Sequence, residues 1–314
     1  MKRKVYYKSR EAWLAGRRQG IGASEAATCL GLNPYETPYQ LWRRKKGLDA
    51  PKAETFLMRA GHYLEEAVAR FYADETGCHI IKSTTEDFTI MDTDRPWLRV
   101  SPDRLFWHVG ARRNEESKSV LECKTTQKTI DADNVPNTWY CQLQMNLGVG
   151  EYESGALAWL TMGRDFGYKN VDFDADFYQW MTERITEFWF KYIIGDEEPP
   201  AYTAEDVMLK HPRHTEGKIV TATEEITGML DELKSIKESE KDMCTRAKTL
   251  EDSLKMFIGD AETLMAEDGQ TILATWKAPK ESEKFDEKAF KADNPELWAK
   301  YVTSRQGSRR FLLR

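Results

Sequence analysis

Cysteine is scarce and poorly placed for cross-linking. Cys29, Cys78, Cys123, Cys141 and Cys244 are odd in number, widely scattered and never in a C-x-x-C pair. That excludes a disulfide framework and the usual structural zinc spacings, and leaves these side chains as small buried hydrophobes. Glycine and proline, 19 and 11 of 314 residues, are too few for collagen-like or low-complexity sequence. No run of 18 or more uncharged apolar residues occurs, so no membrane-spanning helix is expected. The basic opening, MKRKVYYKSREAW, has no apolar stretch behind it, so it does not read as a secretory signal, and a cytoplasmic protein is expected. No internal repeat is found.

The chain holds 40% apolar and 11% aromatic residues, which excludes wholesale disorder, and its length corresponds to roughly two domains of about 150 residues. The net charge of −6 is unevenly spread. Residues 1–48 carry eleven basic side chains against three acids, and Lys300 to Arg314 add five basic groups and no acid. Such asymmetry suggests that the two chain ends meet a polyanion, although charge runs are also commonly solvated faces.

Periodicity organises the rest. Short helices are expected at 9–16, 24–31 and 38–47. A longer one at 53–76 repeats Phe56, Leu57, Ala60, Leu64, Ala67, Val68, Phe71 and Tyr72 at three and four, and Gly77 ends it. β-rich stretches follow at 78–91, 97–109 and 119–126, then a helix near 136–148, strands near 152–161 and 167–174, and a helix from Asp174 to Ile194. This order implies an α/β core with a central mixed sheet flanked by helices over 1–198. Residues 199–221 read as a linker. Over 222–314 a C-terminal helical extension with a short β element is expected. Met243, Ala247, Leu250, Leu254, Phe257, Ala261 and Leu264 mark one packing stripe on its long helix. QTILATWKA reads as a strand, FDEKAFKADNPELWAKY as a jointed helix and RRFLLR as a closing strand. His211 and His214 lack a further ligand pair and belong to a surface turn.

The informative passage is RVSPDRLFWHV, a polar loop, then VLECKTT. Glu122 and Lys124, two apart on a strand, share a face, with Val120, Leu121 and Cys123 as apolar neighbours. A hairpin would bring Asp103 alongside Glu122. Two carboxylates suit a hard cation such as Mg2+, whose remaining positions take water and phosphate oxygen, and the backbone carbonyl of Cys123 is placed to contribute. A cation there lowers the pKa of bound water and neutralises phosphodiester charge. Lys124 would orient or help deprotonate that water. Upstream, Glu65 and Glu66 sit mid-helix, where one of them faces the sheet if Leu64, Ala67 and Val68 pack.

The segments WLAGRRQGIGASEAATCLGLNPYETPYQLW, G-x-x-x-E-E (61–66), SPDRL, LECKTT and YCQLQMNLGV together resemble the YqaJ-like viral recombinase family, relatives of phage lambda exonuclease within the PD-(D/E)xK nucleases. The resemblance spans about 9–195, and the C-terminal pattern is similar to an extension carried by many phage members. It implies a restriction-endonuclease-like core and a metal-dependent exonuclease acting on linear double-stranded DNA. The expected direction is 5′→3′, exposing a 3′ single strand for recombination by annealing. Asp103, Glu122, Glu65 and the Cys123 carbonyl become metal ligands by that resemblance, Lys124 the catalytic lysine and Gln144 the active-site glutamine, with Tyr140 and Gln142 as neighbours. Arg17, Ser24 and Ser101 become a pocket for the terminal 5′ phosphate. Mg2+ is the implied cofactor, with Mn2+ as a substitute. DNA ends, a homo-oligomeric ring such as a trimer, and a single-strand annealing protein are the implied partners, in a bacterial host cytoplasm and encoded by phage or prophage. Residues 222–314 have no counterpart in lambda exonuclease. The four clustered cysteines of iron–sulfur nucleases are missing, since only Cys244 lies beyond Cys141. A catalytically silent DNA-binding or docking module remains the alternative.

Overall fold

A computed structural model describes residues 2–50, 55–81, 88–161, 164–303, 307 and 309–314. The chain divides into two units, Met1–Lys210 and His211–Arg314.

The first unit begins with β1 (Lys2–Tyr6), α1 (Arg10–Arg17) and the two-residue β2 (Ile21–Gly22). A single 3-10 turn then leads into α2 (Ala26–Cys29), followed by α3 (Pro38–Lys45) and α4 (Phe56–Thr76). α3 starts where the Thr37 side chain caps it and Pro38 presets its first turn. α4 is capped by Thr55 and closed by Gly77 in the left-handed conformation at φ 68°. β3 (His79–Ile81), β4 (Phe88–Asp92), β5 (Leu98–Val100), β6 (Arg104–Trp107) and β7 (Lys118–Thr126) come next. They are followed by α5 (Asn137–Gly150), β8 (Ser154–Thr161), β9 (Asp165–Asp172), α6 (Ala175–Phe188) with a π-turn continuation over Trp189–Ile194, and α7 (Ala204–Lys210).

Among the described residues of the first unit, the strands fall into two sheets where one central sheet is expected. A five-stranded sheet runs β3-β6-β7-β8-β9, antiparallel except for the β7/β8 pair, which α5 joins as a parallel crossover. A four-stranded sheet runs β1-β4-β5-β2. The stretch 97–109 therefore does not form one strand. Pro102, which has no N–H for a ladder, separates β5 in one sheet from β6 in the other, and Ser101 and Asp103 lie in the crossing.

α4 covers one face of the five-stranded sheet, packing Val68, Ala69 and Tyr72 on Phe106, Leu121, Cys123, Ala156 and Ala158. α5 lies on the other face and is buried almost all round: Cys141, Leu143, Met145, Leu147 and Val149 all sit in the larger core. Each fully buried Leu or Met there contributes about 2 kcal/mol. Alternation along β7 divides these faces. Leu121 and Cys123 face α4, whereas Val120 and Glu122 face α5.

The expected linker 199–221 begins later than its composition suggests. Asp206 on α7 is fully buried and accepts from Thr37 Oγ1 (2.9 Å), the Tyr202 N–H (2.9 Å) and the Thr203 N–H (3.1 Å), which fastens residues 201–210 to the first unit.

The second unit holds α8 (Glu224–Ile258), a hairpin of β10 (Thr263–Met265) and β11 (Ile272–Thr275), α9 (Glu287–Asp293) and α10 (Pro295–Tyr301). Gly259, at φ 59°, stops α8, so Ala261 and Leu264 leave the helical stripe, and Leu264 enters β10 instead. The stripe itself is open, with Met243 72% and Phe257 78% exposed. Of RRFLLR, the described residues form no strand. Cys78, Cys123 and Cys141 are buried as expected, while Cys244 is exposed. Among the described residues, no helix is long and apolar enough to cross a membrane.

Candidate active site

β7 delivers Glu122 and Lys124 to one place. Lys124 Nζ donates to Glu122 Oε1 at 2.7 Å and to Gln142 Oε1 at 2.9 Å, and Gln142 in turn donates to Glu122 Oε1. Glu122 has no exposed surface, and its second oxygen accepts from Asn146 Nδ2 at 2.9 Å. Asp103, just before β6, accepts the Cys123 N–H on Oδ2 at 2.9 Å. The N–H and C=O of one strand residue leave by the same edge, so the Cys123 carbonyl shares the side that Asp103 approaches.

The electrostatics match converging acids. Burial, then the neighbouring Asp103 charge, pushes the Glu122 carboxyl up to about 8, against the pull of Lys124. Burial alone would lower Lys124, but Glu122 and Asp103 outweigh it and hold the ammonium above its ordinary value. Glu65, on α4, is raised by burial and by Asp103. Its Oε1 is 3.1 Å from His62 Nδ1, and its Oε2 is 3.9 Å from Arg104. Glu66, the more exposed of the two, pairs with Arg70 at 3.1 Å and shares Arg104 at 3.5 Å.

One cleft of about 420 Å³ joins the chemistry to the expected phosphate pocket. Arg17, Ser24, Glu65, Ser101, Asp103 and Gln142 all line it. Arg17 donates to Ser24 Oγ at 3.1 Å and lies over the Trp13 ring at 4.9 Å. Ser101 Oγ donates to the Phe88 carbonyl at 3.0 Å and sits 3.2 Å from Thr89 Oγ1. Lys124 opens on an adjoining depression that Glu65 and Cys123 also line.

Gln144 is the exception. Its Nε2 donates to the Asp172 carbonyl at 2.9 Å and its Oε1 accepts the Asp174 N–H at 3.0 Å, so this fully buried amide ties α5 to the end of β9. The glutamine that touches Glu122 and Lys124 is Gln142, contrary to the expectation for Gln144. Two residues along a helix turn the side chain by about 200°, so Gln142 and Gln144 face opposite ways. Tyr140, one turn before Gln144, shares its side and reaches Asp174 at 3.5 Å. Gln142 and Asn146, four apart, form the pair of amides on Glu122, a spacing already visible in the sequence.

The basic run at 43–46 is not an open surface for a polyanion. Arg43 pairs with Asp49 at 2.7 Å, Arg44 with Glu36 at 2.8 Å and Glu25 at 2.9 Å, Lys45 with Glu25 at 2.7 Å, and Lys46 with Asp196. The charge count along the sequence could not reveal these partners, which are drawn from several separate segments.

Among the described residues, no three acidic, histidine or cysteine side chains gather as a ready cation cage. The donor set is nevertheless one that Mg2+ accepts: the Glu122 and Glu65 carboxylates, both of raised proton affinity, the Asp103 carboxylate, a backbone carbonyl, and room in the cleft for water and phosphate oxygen.

Residues 12–153 match the model of the YqaJ-like viral recombinase domain. A protein of Bacillus subtilis (strain 168), the uncharacterised YqaJ, is 30% identical over 315 residues, covering 96% of this chain and 93% of its own. The alkaline exonuclease LHK-Exo of Laribacter hongkongensis is similar over 64% of this chain and 96% of its own, at 16% identity and a TM-score of 0.43. A phage-related exonuclease from Haemophilus somnus 129PT is similar over 57% of this chain and 96% of its own, at 9% identity and a TM-score of 0.41. Likenesses that remote carry no part of the assignment. It stands on the domain match and on identity sustained along nearly the whole of both chains: the protein belongs to the YqaJ-like viral recombinase family.

Proposed function

We propose that the protein is a Mg2+-dependent deoxyribonuclease that hydrolyses phosphodiester bonds at the ends of linear double-stranded DNA. It proceeds 5′→3′ and leaves a 3′ single strand for recombination by annealing. The observation that carries this reading is the meeting of Asp103, Glu122 and Lys124, in reach of a cleft that also holds Glu65 and the Arg17–Ser24 pair.

Asp103, Glu122, the Cys123 carbonyl and Glu65 would hold the cation, with Mn2+ as a substitute. Bound there, the ion supplies a water of lowered pKa and charge compensation for the phosphodiester. The protein's own groups do the rest. Lys124, kept protonated by two acids, orients the attacking water and offsets charge on the phosphate. Gln142 and Asn146 fix the Glu122 carboxylate in one orientation, so no reorganisation is needed when charge develops. The Arg17 guanidinium, backed by the Trp13 ring, and the hydroxyls of Ser24 and Ser101 suit the doubly charged terminal phosphate of a 5′ end. Their place in the same cleft as Asp103 favours end-dependent over internal cleavage. A closed ring of subunits, such as a trimer, and docking of a single-strand annealing protein on residues 222–314 complete the proposal.

Linear duplexes labelled at the 5′ or the 3′ end, digested with Mg2+ or in EDTA while the mass of the assembly is measured, test it. Loss of the 5′ label first, as mononucleotides and only with metal, is the expected result. Binding without release of nucleotide in any divalent metal contradicts it.

A further inference from the structure

We propose that the buried pair Glu25 and Lys45 is a positioning element of the end-recognition pocket, holding Arg17 and Ser24 in the one arrangement that accepts a 5′-phosphate. This rests on the reading of Arg17 and Ser24 as that pocket. Neither Glu25 nor Lys45 lines the cleft; both lie behind it, with side chains 4% and 2% exposed.

Their bonds converge on the short segment between Arg17 and Ser24. Lys45 Nζ, reaching over from α3, donates to the Arg17 carbonyl at 2.9 Å and the Gly20 carbonyl at 2.6 Å. It is also 2.7 Å from Glu25 Oε2. That same oxygen accepts the Gly22 N–H at 2.8 Å, and Glu25 Oε1 accepts from Arg44 at 2.9 Å. Gly20 admits no side chain, since a Cβ there would lie 2.5 Å from the Trp97 carbonyl oxygen. The backbone leaving α1 is thus fastened at both ends of its turn and pressed in the middle against the turn that precedes β5.

Stability alone gives little reason for this design. Desolvating two charges cancels most of their mutual attraction, and an apolar pair of similar volume commonly does as well. A fixed geometry and a balanced charge are what the pair adds. Glu25 is the buried acid that faces Lys45, Arg44 and Arg17, with Arg44 shared by Glu36, and without it the repulsion of the cations behind the cleft would drive the Arg17 guanidinium from its place beside Ser24. A lysine on α3 that never meets the DNA thereby becomes a determinant of which ends are recognised.

The test compares binding of full-length protein to duplexes ending in 5′-phosphate or 5′-hydroxyl, in EDTA so that nothing is cut. Wild type is expected to prefer the phosphorylated end, and Lys45→Met and Glu25→Gln each to shrink that preference by about tenfold, the worth of one charge-assisted contact. Because a single substitution strands a buried charge and can unfold the chain, the double variant Glu25→Gln/Lys45→Met is measured as well. It leaves neither charge unpaired, yet still lacks the bonds to the Arg17 and Gly20 carbonyls. With Mg2+ present, the loss should fall on KM for phosphorylated ends rather than on kcat. A folded double variant that keeps the wild-type preference overturns the proposal, as does an equal fall in kcat on both kinds of end. If wild type digests duplexes but ignores the terminal phosphate, the pocket reading itself fails, and this inference falls with it while the nuclease assignment stands.

Discussion

Asp103 and Cys123 are joined by a 2.9 Å hydrogen bond from the Cys123 N–H to the Asp103 carboxylate. This bond stitches the crossing between the two sheets to the strand that carries Glu122 and Lys124. It brings residues twenty apart into one site, and it leaves Asp103 close enough that its charge raises the cost of ionising Glu122.

Asp103→Asn keeps an acceptor for that N–H while removing the charge. Cleavage is expected to fall by at least about 10²–10³-fold. In metal-free buffer the melting temperature should rise by about 2–4 °C as the repulsion on Glu122 is relieved. Calorimetry in EDTA checks the second part. A fall of several degrees would make Asp103 a structural residue.

Gln142→Ala and Gln144→Ala should separate two roles that the Y-x-Q-x-Q pattern blurs. Loss of Gln142 releases the Glu122 and Lys124 side chains and lowers kcat with little change in melting temperature. Loss of Gln144 removes two buried hydrogen bonds and costs about 2 kcal/mol of stability. Denaturant titration beside single-turnover rates distinguishes them, and the reverse assignment would return the catalytic role to Gln144.

Arg17→Ala should lower the preference for 5′-phosphorylated over 5′-hydroxyl ends by about tenfold. Competition between the two duplexes in one digest reads this directly. Equal slowing on both ends would remove Arg17 from phosphate recognition.

Acid sensitivity should trace to Glu25. Burial opposes its ionisation, but Lys45, Arg44 and Arg17 more than offset that and hold the carboxyl at about 2, below the ordinary 4.5. Its contribution is therefore full above pH 4.5 and disappears as pH falls toward 2, a span worth about 3 kcal/mol. Urea titrations between pH 6 and 2 should show a shallower acid decline in Glu25→Gln than in wild type. Parallel profiles would place the acid sensitivity elsewhere.

A chain ending at Lys210 should fold, whereas one ending at Pro200 should lose about 2–3 kcal/mol, because Thr37 and the core then lack the buried Asp206. Circular dichroism melts of the two truncations decide it, and equal stability would free α7 from any role in the first unit.

What was legible in the sequence follows what is local. The α4 stripe and the period-two pattern of β7 are short-range signals, and both elements lie where periodicity puts them. The shared face of Glu122 and Lys124 follows from strand geometry alone, as their common partner Gln142 shows. Long-range partners were not legible. The run Arg43 to Lys46 reads as an open basic patch until Glu25, Glu36, Asp49 and Asp196 fold against it. The role of Gln142 is local as well, since helical phase pairs it with Asn146 on Glu122 and sets Gln144 on the opposite side of α5. The stripe carried past Gly259 failed because hydrophobic spacing persisted by accident into a strand, beyond a glycine that marks the turn.

The most direct test of the central claim is nucleotide release from a linear duplex with Mg2+ by wild type, Glu122→Gln and Lys124→Ala, each shown to be folded. Release by wild type alone, abolished by EDTA, is the result this account predicts. Undiminished release by either variant, or none by wild type in Mg2+ or Mn2+, would contradict it.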